Sequence, residues 1–349
     1  MQTLETPSPT LHRLAATPDT IHWGYLSSRI EPVLRVRSGD VVQIETVTHH
    51  AGNAPDLLVD DGIAELFTVP MQRGPGPHIL TGPIHVEGAR PGDTLAVRIL
   101  DLQPRLPYGA NLAAHWGALY GDFGKERVTI YELDTVRGRA RAAFAFDWTQ
   151  TPLANQHGLL MDVEQQRREP ALVGVNVPLR PHFGVMGVAP AGDQPVDSVP
   201  PSTFGGNVDN WRIGPGSTVY YPVYHDGALL SVGDPHAAEG DGELSGTAVE
   251  ASLNGTIEIT VLRDMAVTAP IAQTPEHWIT HGFGADLDTA LHQAAMEMLR
   301  LLGTFGISPD DAYSLMSAAV DFGVTQVVNR TKGVHALVHK SVLPMPPAR

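Results

Sequence analysis

At about 150 residues per folding unit, a chain of 349 residues has room for two or three units and for a sizeable core. Its 42% hydrophobic and 17% charged residues, with 35 Gly and 29 Pro, exclude a disordered chain and describe a turn-rich globular one. A formal net charge of −15 argues against nucleic acid and anionic membranes as partners. The lack of cysteine excludes thiol nucleophiles, iron–sulfur clusters, thiolate zinc sites and disulfides.

The opening Met1-Gln-Thr-Leu-Glu-Thr-Pro-Ser-Pro9 has neither a basic nor an apolar region of the kind that targets a chain for secretion. No stretch approaches 18 apolar residues, so the expected compartment is the cytoplasm. Asp40–Thr48 reads as a strand from its β-branched, alternating pattern, entered through the turn Ser38-Gly39-Asp40. At its end stand His49 and His50, where neighbouring histidines on a strand would point to opposite faces unless it breaks near Gly52. His78 and His85 are weaker candidates of the same kind.

Asp93–Asp101, again after a Gly-Asp turn, and Val128–Leu133 are the next strands. Residues 134–172 are more polar and weakly periodic, and read as a connection with solvated arginines. In Pro200–Trp211, Gly205-Gly206 precedes Asn207, Asp209 and Asn210. Asp209 fits either a metal ligand or an Asx-turn, the latter being the commoner case.

Gly227–Glu243 is the most informative stretch. An apolar run leads to Gly233, and then Asp234, His236, Glu239, Asp241 and Glu243 fall within ten residues. Four carboxylates beside an imidazole repel one another unless a cation or backbone N–H groups neutralise them. In an extended segment Asp234 and His236 share a face, and mixed oxygen and imidazole donors suit zinc or a similar divalent ion. A solvated acidic hairpin loop fits the same spacing.

Gly255–Val261 is a further strand. Leu287, Leu291, Ala294, Met298 and Leu302 then recur at helical spacing up to Gly303. A second helix starts at Ser308-Pro309-Asp-Asp311, with an N-cap, a proline at the first position and two acids in the first turn. Strands at Thr325–Val328 and Gly333–Val338 follow. The expected fold is mainly β, a sandwich- or barrel-like core with Gly/Pro-rich turns, ending in an α+β part. The expected division is 1–150, 151–268 carrying the Asp/His/Glu loop, and 269–349. No strand is followed by a dinucleotide or P-loop motif, so a nucleotide cofactor is not expected.

Several of these segments, taken in order, resemble the acetamidase/formamidase family. They are Gly82-Pro-Ile84 with Gly88–Asp93, Pro181–Gly187, Gly205–Asn210, Gly227–Glu243 and Val320–Val328. The resemblance runs from about residue 20 to residue 340, with Glu239 standing where similar proteins commonly carry Gln. It implies a β-rich fold with an α+β end, an oligomeric enzyme, and hydrolysis of short aliphatic amides such as formamide or acetamide.

Amide hydrolysis needs a nucleophile, polarisation of the carbonyl and a proton for the departing nitrogen. Cysteine is absent, no Gly-x-Ser-x-Gly elbow occurs, and Ser27-Ser28 lacks a Gly-rich flank, which leaves water activated by a divalent metal, zinc or else calcium. The expected ligands are Asp234 and His236, completed by Asp209 and His49 or His50. Glu243 is the expected general base, and Asn207 the expected partner of the amide group. The competing reading is a non-catalytic acidic β-rich module that holds calcium.

Overall fold

A computed structural model describes residues 8–148 and 158–344. Alternation of apolar and polar residues sets the main strands. In Asp40–Thr46, Val42 and Ile44 are fully buried while Gln43 faces solvent. Thr94–Pro104 and Leu253–Leu262 flank one another antiparallel, and Leu253–Leu262 also pairs with Asp40–Thr46. These belong to a nine-stranded sheet that continues through Thr218–Pro222, Ile271–Gln273, His277–Gly284 and Lys332–His339 to Val320–Gln326.

A second, eleven-stranded sheet has Leu230–Ala238 near its centre, with His182–Gly187, Val249–Glu250 and Ile79–Glu87 as its partners. Ile44, Val97, Ile99 and Ile257 of the first sheet share one core with Leu80, Ile84, Phe183, Val185 and Val232 of the second. That is a β-sandwich held by face-to-face apolar packing.

The helices Leu287–Thr304 and Pro309–Ala319 begin at Asp286 and Ser308, whose side chains accept from Thr289 N and Asp311 N as N-caps. Both cover the far end of the first sheet, where Ala290, Ala294, Met298 and Met316 pack on Val334, Ala336 and Val338. Gly282 lets the first of them approach the sheet: a Cβ there would lie 2.0 Å from Ala290 O. The chain is thus mainly β with an α+β C-terminal part, as its sequence predicts. No described helix is long and apolar enough to cross a membrane.

One expectation fails. Within the stretch read as a connection, Arg139–Trp148 is a ten-residue strand paired along Glu126–Asp134. Its register shifts between Ala142 and Phe144, and that bulge breaks the two-residue period by which the strand would have been recognised. Residues 149–157 of the same stretch lie outside the described residues.

Candidate active site

Asp234 and His236 lie on the buried central strand Leu230–Ala238, with Pro235 between them. Asp234 takes a left-handed conformation (φ 50°), so the strand kinks, and its Oδ2 lies 3.3 Å from His236 Nε2. Asp209 (φ 51°), just after the strand Gly205–Asn207, and Glu243 (φ 47°), in the loop after Glu239, are strained in the same way. A non-glycine residue holds such a backbone only where its surroundings over-determine it, and such strain gathers at functional sites. Here three buried carboxylates share it.

Two of them, Asp209 and Asp234, meet His236 at Gly184, on the neighbouring strand His182–Gly187. A Cβ built there would lie 2.6 Å from both Asp209 Oδ1 and His236 Cε1, and 2.7 Å from Asp234 Oδ2. The missing side chain is the space in which the donors converge. Ligand atoms of Asp209, His236 and Glu243 all lie within 4.8 Å of one another, as do those of Asp234, His236 and Glu250, and those of His49, His78 and Asp234.

The strand Asp40–Thr46 ends before the histidine pair, so the alternation rule no longer applies to it, and both His49 and His50 line the same cavity. His49 Nδ1 is 3.7 Å from Asp234 Oδ1. His50 instead turns its Nδ1 to Asn53 Oδ1 at 3.0 Å. Asn207 donates to Val199 O and leaves a buried Oδ1 without a hydrogen-bond partner among the described residues. Asp241 lies apart from the cluster, bound by Arg212 and Trp211.

Five further residues complete the site. His78 Nε2 is 3.5 Å from Asp234 Oδ2, and Glu250 Oε1 is 3.2 Å from His236 Nε2. Behind His236, His182 Nε2 lies 3.1 Å from its Nδ1 and 2.7 Å from Glu239 Oε2. Asn329 donates to Asp209 Oδ2 at 2.5 Å. Of these, sequence alone flagged His78 weakly and Glu239 as part of the acidic run.

Burial sets the electrostatics. It pushes the Asp209 and Glu243 carboxyls well above the usual range, and the charges of nearby acids push the same way. Burial also opposes ionisation of Asp234, but His78, His236 and His49 outweigh it and hold that carboxyl well below its usual range. His236 is raised because Glu250 and Asp234 more than offset its burial.

Asp209 Oδ1, Asp234 Oδ1 and Glu243 Oε2 are buried without a hydrogen-bond partner among the described residues. Buried carboxylate oxygens rarely stay unpaired. Together with the imidazole and the space over Gly184, they fit a divalent cation, which would reverse the pressure toward protonation. The cluster opens into a cavity of about 280 Å³ whose other walls include His115, Trp116, Thr247 and Arg330.

A family model described as the Acetamidase/Formamidase family matches residues 14–197 and 191–344. A formamidase of Methylophilus methylotrophus is 27% identical over 353 residues, spanning 85% of this chain and 83% of its own. Among solved structures, an acetamidase from Bacillus halodurans is 30% identical with a TM-score of 0.74, covering 95% of this chain and 98% of its own. An acetamidase from Yersinia enterocolitica is 26% identical with a TM-score of 0.78, covering 97% and 94%.

Proposed function

Because the chain belongs to the acetamidase/formamidase family, as a hydrolase of amide C–N bonds, we propose that its buried His–carboxylate cavity cleaves short aliphatic amides to a carboxylate and ammonia. The observation that carries this reading is the meeting of Asp209, Asp234 and His236 over Gly184, each of the two acids keeping a buried oxygen that has no hydrogen-bond partner among the described residues. Family membership favours it over a non-catalytic calcium module. A cavity of about 280 Å³ suits a substrate of few heavy atoms.

Asp209, Asp234 and His236 would hold a divalent ion, with His49 beside Asp234, and the mixed oxygen and nitrogen donors favour zinc. Such an ion, when bound, polarises an amide carbonyl and lowers the pKa of water from about 15.7 to near 7. Glu243 takes the proton of the attacking water and passes it to the nitrogen as the C–N bond breaks. Its burial favours the protonated state it holds between those two transfers. Asn207, whose Nδ2 is engaged by Val199, offers Oδ1 to an amide N–H.

On the same reading the enzyme works in the cytoplasm as a homo-oligomer. The net charge of −15 keeps it from nucleic acid and anionic membranes. Ammonia release from formamide, acetamide and propionamide is the test. Wild type is expected to release it, and Glu243→Gln to lose about 100-fold or more. A metal-replete protein that releases none from any of the three would end the reading.

A further inference from the structure

His115 lines the same cavity as the donor cluster, and its surroundings fix its ring. Nδ1 lies 2.8 Å from Glu126 Oε1, and the His115 backbone N–H donates to the same oxygen at 3.2 Å. Glu126 opens the strand Glu126–Asp134 and its side chain is only 5% exposed, so the anchor is rigid. Edge-on to the ring at 5.0 Å stands Trp116, itself held by a bond from Nε1 to Gly246 O at 2.7 Å.

A carboxylate can only accept, so Nδ1 of His115 carries a proton, and in the neutral ring Nε2 keeps a lone pair. The His115 side chain is 35% exposed, and Nε2 has no hydrogen bond among the described residues. Of the other ionisable groups on these walls, His49, His78, Asp234, Glu243 and Glu250 belong to the donor cluster, His50 turns its Nδ1 to Asn53, and Arg330 binds Asp197 at 2.6 Å.

An unsubstituted amide nitrogen carries two N–H donors, and the side-chain acceptors on the cavity walls outside the donor cluster include Asn207 Oδ1 and His115 Nε2. We propose that His115, held by Glu126, contacts the substrate by accepting an N–H of the amide nitrogen, and so selects amides with a free NH2 group. This rests on the amide-hydrolase reading of the same cavity. Two acceptors around the nitrogen fix its rotation about the C–N axis and direct its developing lone pair toward the proton donor. No proton leaves the imidazole.

Isosteres separate this role from a structural one. Asparagine places an N–H where His115 Nδ1 sits and keeps Glu126 satisfied, but offers nothing at the Nε2 position. Glutamine places an amide oxygen near the Nε2 position and gives up the Glu126 contact. In steady-state hydrolysis of acetamide, His115→Asn is expected to lower kcat/KM roughly 10- to 100-fold, and His115→Gln to stay within about fivefold of wild type. A role confined to holding Glu126 would reverse that order and overturn the proposal.

Should His115→Asn fail to fold, His115→Gln against His115→Met decides. The two match in length and both lose Glu126, so a tenfold or greater advantage for Gln supports the acceptor and equality overturns it. A wild type that releases no ammonia overturns the functional reading and this inference with it. An active wild type with the order reversed overturns this inference alone.

Discussion

Asn329 donates its side-chain N–H to Asp209 Oδ2 at 2.5 Å, and so ties the C-terminal α+β part to a buried acid of the sandwich. Asn329 is itself held, because its backbone N–H, like that of Val328, donates to Gln326 Oε1. That bond counters the burial that pushes the Asp209 carboxyl upward. Asn329→Ala would leave both Asp209 oxygens without a donor among the described residues, at a cost of about 1–3 kcal/mol. We expect a lower denaturant midpoint and about a tenfold fall in kcat/KM on acetamide. Unchanged values for both would show the contact to be idle.

Gly184→Ala is expected to be more severe for activity than for folding. The new methyl would sit 2.6 Å from Asp209 Oδ1 and 2.7 Å from Asp234 Oδ2, too close for either to stay. No left-handed backbone is demanded at this position, so alanine itself is not strained there. Elemental analysis should find less bound metal than in wild type, with turnover reduced about 100-fold and the far-ultraviolet circular dichroism retained.

Gly184 also marks where sequence reading stops. A glycine inside the apolar run Phe183–Gly187 carries no local signal, since its role depends on three side chains brought in by other segments. His182 was equally silent. It stands opposite His236 only through the antiparallel register of two strands far apart in sequence, and Glu250 reaches His236 from the other neighbouring strand in the same way. The strands Asp40–Thr46 and Thr94–Pro104 and the two capped helices were legible because their signals are local and periodic. The acidic run after Gly233 was legible because it is crowded in sequence. Its completion was not, since partners arriving one per strand are fixed by sheet order.

A pH prediction follows from His281, which is fully buried and uses both ring nitrogens. Nδ1 donates to Pro270 O and Nε2 accepts from Asn210 Nδ2, each at 3.0 Å. A second ring proton would face a donor, and burial accordingly lowers its pKa to about 4. In the unfolded chain the group titrates near 6.5, so between about pH 6.5 and 4 the unfolded state binds the proton that the native state refuses. The contribution is whole above pH 6.5 and is lost as pH falls toward 4. Urea unfolding at pH 7 and pH 4.5 checks this. His281→Gln is expected to start less stable but to lose less on acidification than wild type. An equal loss in both would rule the group out as the acid trigger.

Metal removal reads the donor cluster directly. Five buried acids (Asp209, Asp234, Glu239, Glu243 and Glu250) crowd around a few imidazoles, and an ion that binds only the folded state stabilises it by mass action. At a free concentration 100 times its dissociation constant this amounts to about 2.7 kcal/mol. Chelation is therefore expected to lower Tm and abolish ammonia release together, and zinc to restore both. Asp234→Asn removes the acid that His49, His78 and His236 all face, at 3.7, 3.5 and 3.3 Å. In that variant Tm should no longer respond to zinc or chelator, whereas Asp241→Asn, whose parent carboxylate is spent on Arg212, should respond like wild type. Full turnover in protein shown by elemental analysis to be free of divalent metal would overturn the assignment of Asp209, Asp234 and His236 as its ligands.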